Sequence, residues 1–112
     1  MDCIFCRIVD GDLPSRRVYE DEDFLAFHDI RPIAPVHVLI IPKRHVESLL
    51  DISATDELML GKLLVLAPKI AVSLGLDTGF RSLINTGHGG GQEVFHLHLH
   101  VFGGDGSYRT PI

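Results

Sequence analysis

The sequence is short of basic residues. Ten Lys and Arg stand against 15 Asp and Glu, a formal net charge of −5. A general nucleic-acid binder carries a basic face, so that class is disfavoured. A small phosphorylated ligand is still allowed, because backbone N–H groups and a few local donors suffice to hold one. No apolar run is long enough to cross a bilayer. The opening Met1-Asp2-Cys3 puts an acid where a secretory signal carries positive charge. The expectation is a cytoplasmic protein with neither a membrane nor a nucleic acid as partner. Two cysteines are too few for a disulfide framework. There is no internal repeat and no low-complexity segment. What is present is ordinary globular composition, 46% hydrophobic and 22% charged. At 112 residues the simplest organisation is a single domain, residues 1–112, able to bury a core without staples.

Punctuation and periodicity predict the elements. Cys3 to Asp10 reads as a short helical turn ended by Gly11 and Pro14. Arg17 to Glu20 and Phe24 to His28 read as strands joined across Asp21-Glu22. Arg31 to Pro35 is a loop, because its prolines withhold N–H donors. His37 to Ile41 is a buried strand closed by Pro42, and His45 to Leu50 reads as one or two helical turns. Ser53 to Leu74 is the main helix, with Ser53 and Asp56 as a capping box and Gly75 as its stop. Its apolar residues spread far wider than one stripe. One face packs on the sheet, and a homodimer interface is the simplest home for the other. Pro68 is expected to kink this helix or cost it one backbone bond there. Phe80 to Asn85 and Phe95 to Phe102 complete the strands. The fold class is α+β, with a mainly antiparallel five-stranded sheet, one long helix and a short one.

The stretch His96-Leu97-His98-Leu99-His100 carries the chemistry. In a strand, residues i, i+2 and i+4 share a face, so the three imidazoles project together, roughly 6–7 Å apart. Such an array can bind a metal, handle protons or receive an anionic group. Three histidines plus water suit a catalytic zinc, but a flat array on one strand does not converge easily on one ion. Neutral imidazole is a good nitrogen nucleophile near pH 7. His98 can therefore attack phosphorus, provided a nearby acceptor keeps the proton on its other nitrogen. Flanking histidines can donate to phosphoryl oxygens. The loop Thr86 to Gln92 leads into this strand. Its glycines let backbone N–H groups approach a phosphate, with Asn85 and Gln92 as neutral donors. It is not a Walker-type loop. His28 and His88 are assigned no role.

The pattern His-φ-His-φ-His-φ-φ at His96 to Phe102, where φ is apolar, is similar to the motif of the histidine-triad (HIT) superfamily. Gly90 to Phe95, Gly103-Gly104, Phe27-His28-Asp29-Ile30, Ala34-Pro35-Val36-His37 and Ile41-Pro42-Lys43 resemble its Hint branch of nucleotide-binding proteins. These blocks run in family order over nearly the whole chain. The resemblance implies His98 as a transiently nucleotidylated nucleophile, with His100 and His37 as phosphate-side partners. It implies Asn85 and Gln92 on the phosphate or leaving-group side, Asp29 on the ribose hydroxyls, and Phe5, Phe27 and Ile30 as a slot for the base. It also implies hydrolysis of purine nucleoside phosphoramidates and adenylated amines, with purine nucleotide ligands and a homodimer that joins its sheets. The alternatives are a dinucleoside polyphosphate hydrolase and a non-enzymatic nucleotide-binding regulator. Glu93 replaces a serine of some animal members, which bears on leaving-group preference. The tail from Asp105 to Ile112 is short and lacks tryptophan, so specificity does not carry over.

Cys3-Ile4-Phe5-Cys6 is a Cys-x-x-Cys. No strand precedes it, so a thioredoxin-like redox role is a poor fit. A cytoplasmic disulfide is not expected. Zinc needs two more ligands, and distant histidines can supply them. Related histidine-triad proteins and sugar-phosphate nucleotidyl transferases imply the set Cys3, Cys6, His45 and His96. That zinc is structural; no cofactor is called for in catalysis.

Overall fold

A computed structural model describes residues 3–105. The remaining tail, and any share it has in a pocket, lies outside the described residues. Helix α1 (Ile4–Val9) leads to β1 (Arg17–Glu20), β2 (Phe24–His28) and β3 (Val36–Pro42). The long helix α2 (Glu57–Ser73) follows, then β4 (Arg81–Leu83) and β5 (Leu99–Gly103). The five strands form one sheet in the order β1-β2-β3-β5-β4, every pairing antiparallel. The expected α+β architecture is what is found. No described helix is long and apolar enough to cross a membrane.

Alternation along the strands gives the sheet two different faces. Ala26, Val38, Ile40, Leu99 and Val101 point to α2 and pack on Leu63, Leu66, Ala67, Ile70 and Ala71. Leu25, Phe27, Leu39 and Ile41 point the other way, against Cys3, Phe5 and Ile8 of the N-terminal turn. The second face carries the site.

Three expected boundaries shift. The Ser53–Asp56 signal is real, since the Asp56 carboxylate accepts the Ser53 N–H at 2.9 Å. It caps a 3-10 turn, Ala54–Asp56, before α2 begins. Gly75 (φ 92°) ends α2 as expected. The Leu76 N–H reaches Ala71 O at 2.9 Å and the Gly75 N–H reaches Val72 O at 3.0 Å, the pairing of a Schellman stop. His45 to Leu50 is not helical apart from the turn Leu49–Asp51. Its carbonyls serve other segments: Val46 O accepts the Leu97 N–H, and Glu47 O accepts the Gln92 amide. The histidine strand starts at Leu99, not Phe95. The β3–β5 register would set residue 97 opposite Pro42, which has no N–H for the ladder.

The wide apolar surface of α2 is only half used. Leu58, Val65 and Val72 are exposed. With Gly61 and Pro68 they follow a heptad-like spacing along one side of the helix.

Candidate active site

The three histidines do different things. His96 is fully buried. Its Nε2 lies 2.7 Å from Pro42 O, which only an N–H can satisfy, so the proton sits on Nε2. The Nδ1 lone pair is thereby aimed at sulfur, 3.4 Å from Cys3 Sγ and 3.6 Å from Cys6 Sγ.

His98 Nδ1 donates to the His96 carbonyl at 2.7 Å. That bond fixes the tautomer and leaves Nε2 unprotonated. Burial is the main cause that pushes the imidazole below its usual pKa of 6.5, so His98 is neutral at pH 7. The ring of Phe5 meets it edge-on, with centroids 5.2 Å apart.

His100 sits behind a relay. The Ile33 N–H donates to His37 Nδ1 at 3.1 Å, which places the His37 proton on Nε2. His37 Nε2 is 2.9 Å from His100 Nδ1 and therefore donates to it. His100 is left with its proton on Nε2, a ready donor. Burial, then the His98 and His37 rings, lowers His100 to about 4. His37 is lowered as well, chiefly by burial. The Asp29 carboxylate stands 3.4 Å from His37 Nε2 and accepts the Arg31 N–H at 2.8 Å. The His98 and His100 ring centroids are 5.0 Å apart, closer than ideal strand geometry gives, because only His100 lies in the ladder.

A cleft of about 930 Å³ opens on this face. Of the residues expected to bind nucleotide, Phe5, Phe27, Asp29, Ile30, Asn85, Glu93, His98 and His100 line it. His37 does not line it; it lies behind His100, to which it is hydrogen-bonded. Gln92 does not line the cleft. It is buried, with Oε1 accepting from Gly87 N–H (2.9 Å) and Nε2 donating to Glu47 O (2.7 Å) and Val94 O (3.0 Å). It clips the glycine loop to its surroundings. The loop's own amides are also spent: Gly90 and Gln92 N–H bond to Gly87 O, and Gly91 N–H to His88 O. These three do not form the expected phosphate cradle. The glycines serve the turn, which needs positive φ at Gly87 (73°) and Gly91 (79°). Ser15, Arg16, His28 and Arg31 also line the cleft. Sequence reasoning gave His28 no role and missed Ser15, Arg16 and Arg31; only Arg31 adjoins a recognised block.

The second cluster brings Cys3, Cys6, His45 and His96 together, with all ligand atoms within 4.8 Å of one another. His45 Nδ1 is 3.4 Å from Cys6 Sγ. A tetrahedral zinc with ordinary Zn–S and Zn–N bonds sets sulfur and nitrogen about 3.6 Å apart, so the donors fit that ion in type and spacing. Burial, then the Cys3 thiol beside it, pushes Cys6 up to about 11.

The His98 tautomer fixed by a carbonyl, the His37–His100 hydrogen bond and the cleft lie on one face of this sheet. The chain belongs to the HIT domain family, whose pattern matches residues 10–107. Protein HitA of Neisseria gonorrhoeae is 50% identical over 102 residues, covering 91% of this chain and 95% of that protein. The HIT family hydrolase from Legionella pneumophila superposes with a TM-score of 0.94 at 45% identity, covering 98% of this chain and 99% of that one. A histidine triad protein from Clostridium difficile gives 0.93 at 47% identity, covering 98% and 96%.

Proposed function

We propose that the protein is a Hint-type purine nucleoside phosphoramidate hydrolase that works through a nucleotidyl–His98 intermediate. The observation that carries this reading is the 2.7 Å bond from His98 Nδ1 to the His96 carbonyl, which frees Nε2 for attack. His98 Nε2 attacks phosphorus, and the phosphorus–nitrogen bond breaks. The amine leaves with one proton. An anionic phosphate raises the proton affinity of neighbouring imidazoles, so the His100–His37 pair takes up that proton as substrate binds. Water then attacks phosphorus, the bond to Nε2 breaks, and the water's proton returns to the pair. His100 Nε2–H donates to the phosphoryl oxygens throughout. In this reading Asp29 receives the ribose hydroxyls, and Phe5, Phe27 and Ile30 hold the base. Glu93 and Asn85 face the leaving group.

Cys3, Cys6, His45 and His96 are the residues that would hold zinc. Its chemistry there is structural, tying the N-terminal turn to the segment before His98. A homodimer through the exposed side of α2, with β4 at the sheet edge among the described residues, accounts for the surplus apolar helix surface. The cytoplasm is the expected location.

The test is turnover of a fluorogenic adenosine phosphoramidate by wild type and His98→Ala. Loss of about 10⁴-fold or more is expected for removal of a nucleophile. Normal turnover by the variant overturns the assignment. Rapid cleavage of diadenosine triphosphate without phosphoramidate turnover replaces it with polyphosphate hydrolysis.

A further inference from the structure

The cleft has a second polar end that the chemistry above does not use. Strand register draws a row across the sheet: His100 pairs with Leu39, Leu39 with Phe27, and Phe27 with Arg17. Three strand spacings separate the ends, about 14 Å. The row has a phosphate end at His100 and an apolar floor of Leu39 and Phe27, both of which line the cleft. Ser15 and Arg16 come just before the last strand, and both line the cleft. Arg16 is anchored there through its backbone, whose carbonyl accepts the His28 N–H at 3.0 Å. Its exposed side chain makes no hydrogen bond or ion pair with any described residue. The Ser15 hydroxyl is buried and has no partner among the described residues. An unpaired hydroxyl gains by turning toward any polar group that arrives.

A nucleotide laid along this row puts its phosphate at His98 and His100, its base over Phe27, and the base's far edge at Arg16. A guanidinium has five donors and no acceptor. The O6 and N7 edge of guanine offers two acceptors side by side, the geometry arginine pairs with two-fold. The same edge of adenine offers one acceptor and one donor, and the donor meets a donor. Resting on the proposed function above, we propose that Arg16, assisted by Ser15, reads the O6–N7 edge of the base and makes guanine the preferred purine. Burial and the Arg16 charge both hold the His28 imidazole below its usual pKa, which places that charge at the same end of the cleft.

The experiment is calorimetric titration of GMP and AMP into wild type, Arg16→Met, Arg16→Lys and Ser15→Ala. It is paired with kcat/KM for guanosine and adenosine phosphoramidates. Wild type is expected to favour GMP about ten-fold, at the lower end of what a bidentate arginine–guanine pair gives. Arg16→Met closes that ratio. Arg16→Lys narrows it without closing it, because a lysine still offers only donors to the two acceptors but loses the fork. Ser15→Ala weakens GMP without lowering the melting temperature, since it removes an unpaired group. Equal GMP and AMP affinity in wild type, or a preference that survives both Arg16 variants, overturns the base-reading role and leaves the hydrolase reading intact. Failure of folded wild type to bind either nucleotide overturns both.

Discussion

Taking the protein from pH 7.5 to pH 5.0 is expected to cost the fold about 2 kcal/mol through His100 alone. Burial first, then the neighbouring His98 and His37, holds this imidazole at about 4 against an ordinary 6.5. Between those values the unfolded chain binds the proton and the folded one does not. The stabilisation is therefore fully present above pH 6.5 and is lost as pH falls toward 4. One pKa unit is worth about 1.4 kcal/mol, so the full gap amounts to about 3 kcal/mol, and about 2 of it is gone by pH 5.0. His37, His96 and His98, all lowered mainly by burial, steepen the slope in the same direction. The assay is urea unfolding followed by circular dichroism at several pH values, for wild type and His100→Asn. Both proteins keep the cysteine cluster, so any acid release of metal is common to them and cancels. The variant's stability should fall with acid by about 2 kcal/mol less over the interval. Parallel curves for the two proteins refute the reasoning.

Three further outcomes follow from the packing. Gln92→Leu leaves the Gly87 N–H and the Glu47 and Val94 carbonyls without their buried partner. It should lower stability by about 3 kcal/mol; a melting temperature matching wild type shows that the clip is unimportant. Cys6→Ser, purified without a histidine tag, should drop zinc from about one equivalent to well below it by elemental analysis. Wild type that is folded, reduced and unable to take up zinc rules the metal out. Val65→Glu on the exposed side of α2 should convert a dimer to a monomer in sedimentation, and a monomeric wild type removes the basis for that interface.

The architecture was legible because its cues are local. The acidic turn Asp21-Glu22 and the apolar run closed by Pro42 marked β2 and β3, Ser53-Asp56 and Gly75 bracketed the helix, and the histidine pattern marked the site. What escaped were features set by distant partners. The late start of β5 depends on Pro42 across the sheet. The loss of helix at His45 to Leu50 depends on carbonyls claimed by Gln92 and Leu97. Gln92 looked like a ligand donor because an amide beside a glycine loop suits phosphate; only the folded chain reveals three backbone groups already using it. Ser15 and Arg16 carry no motif, and the register that aims them at the row from His100 is not written near them.

Along β5 and the residues before it, duties alternate one by one. Leu99 and Val101 face α2, while His98 and His100 face the cleft. A substitution here disturbs either folding or chemistry. A single-residue insertion or deletion between His96 and Val101 trades the two sets across the sheet, driving imidazoles into the helix-side core and leucines into the cleft. The count of residues in this segment is thus constrained as tightly as their identity. Any lineage that retunes the protein must do so by exchanging letters, never by adding or removing one.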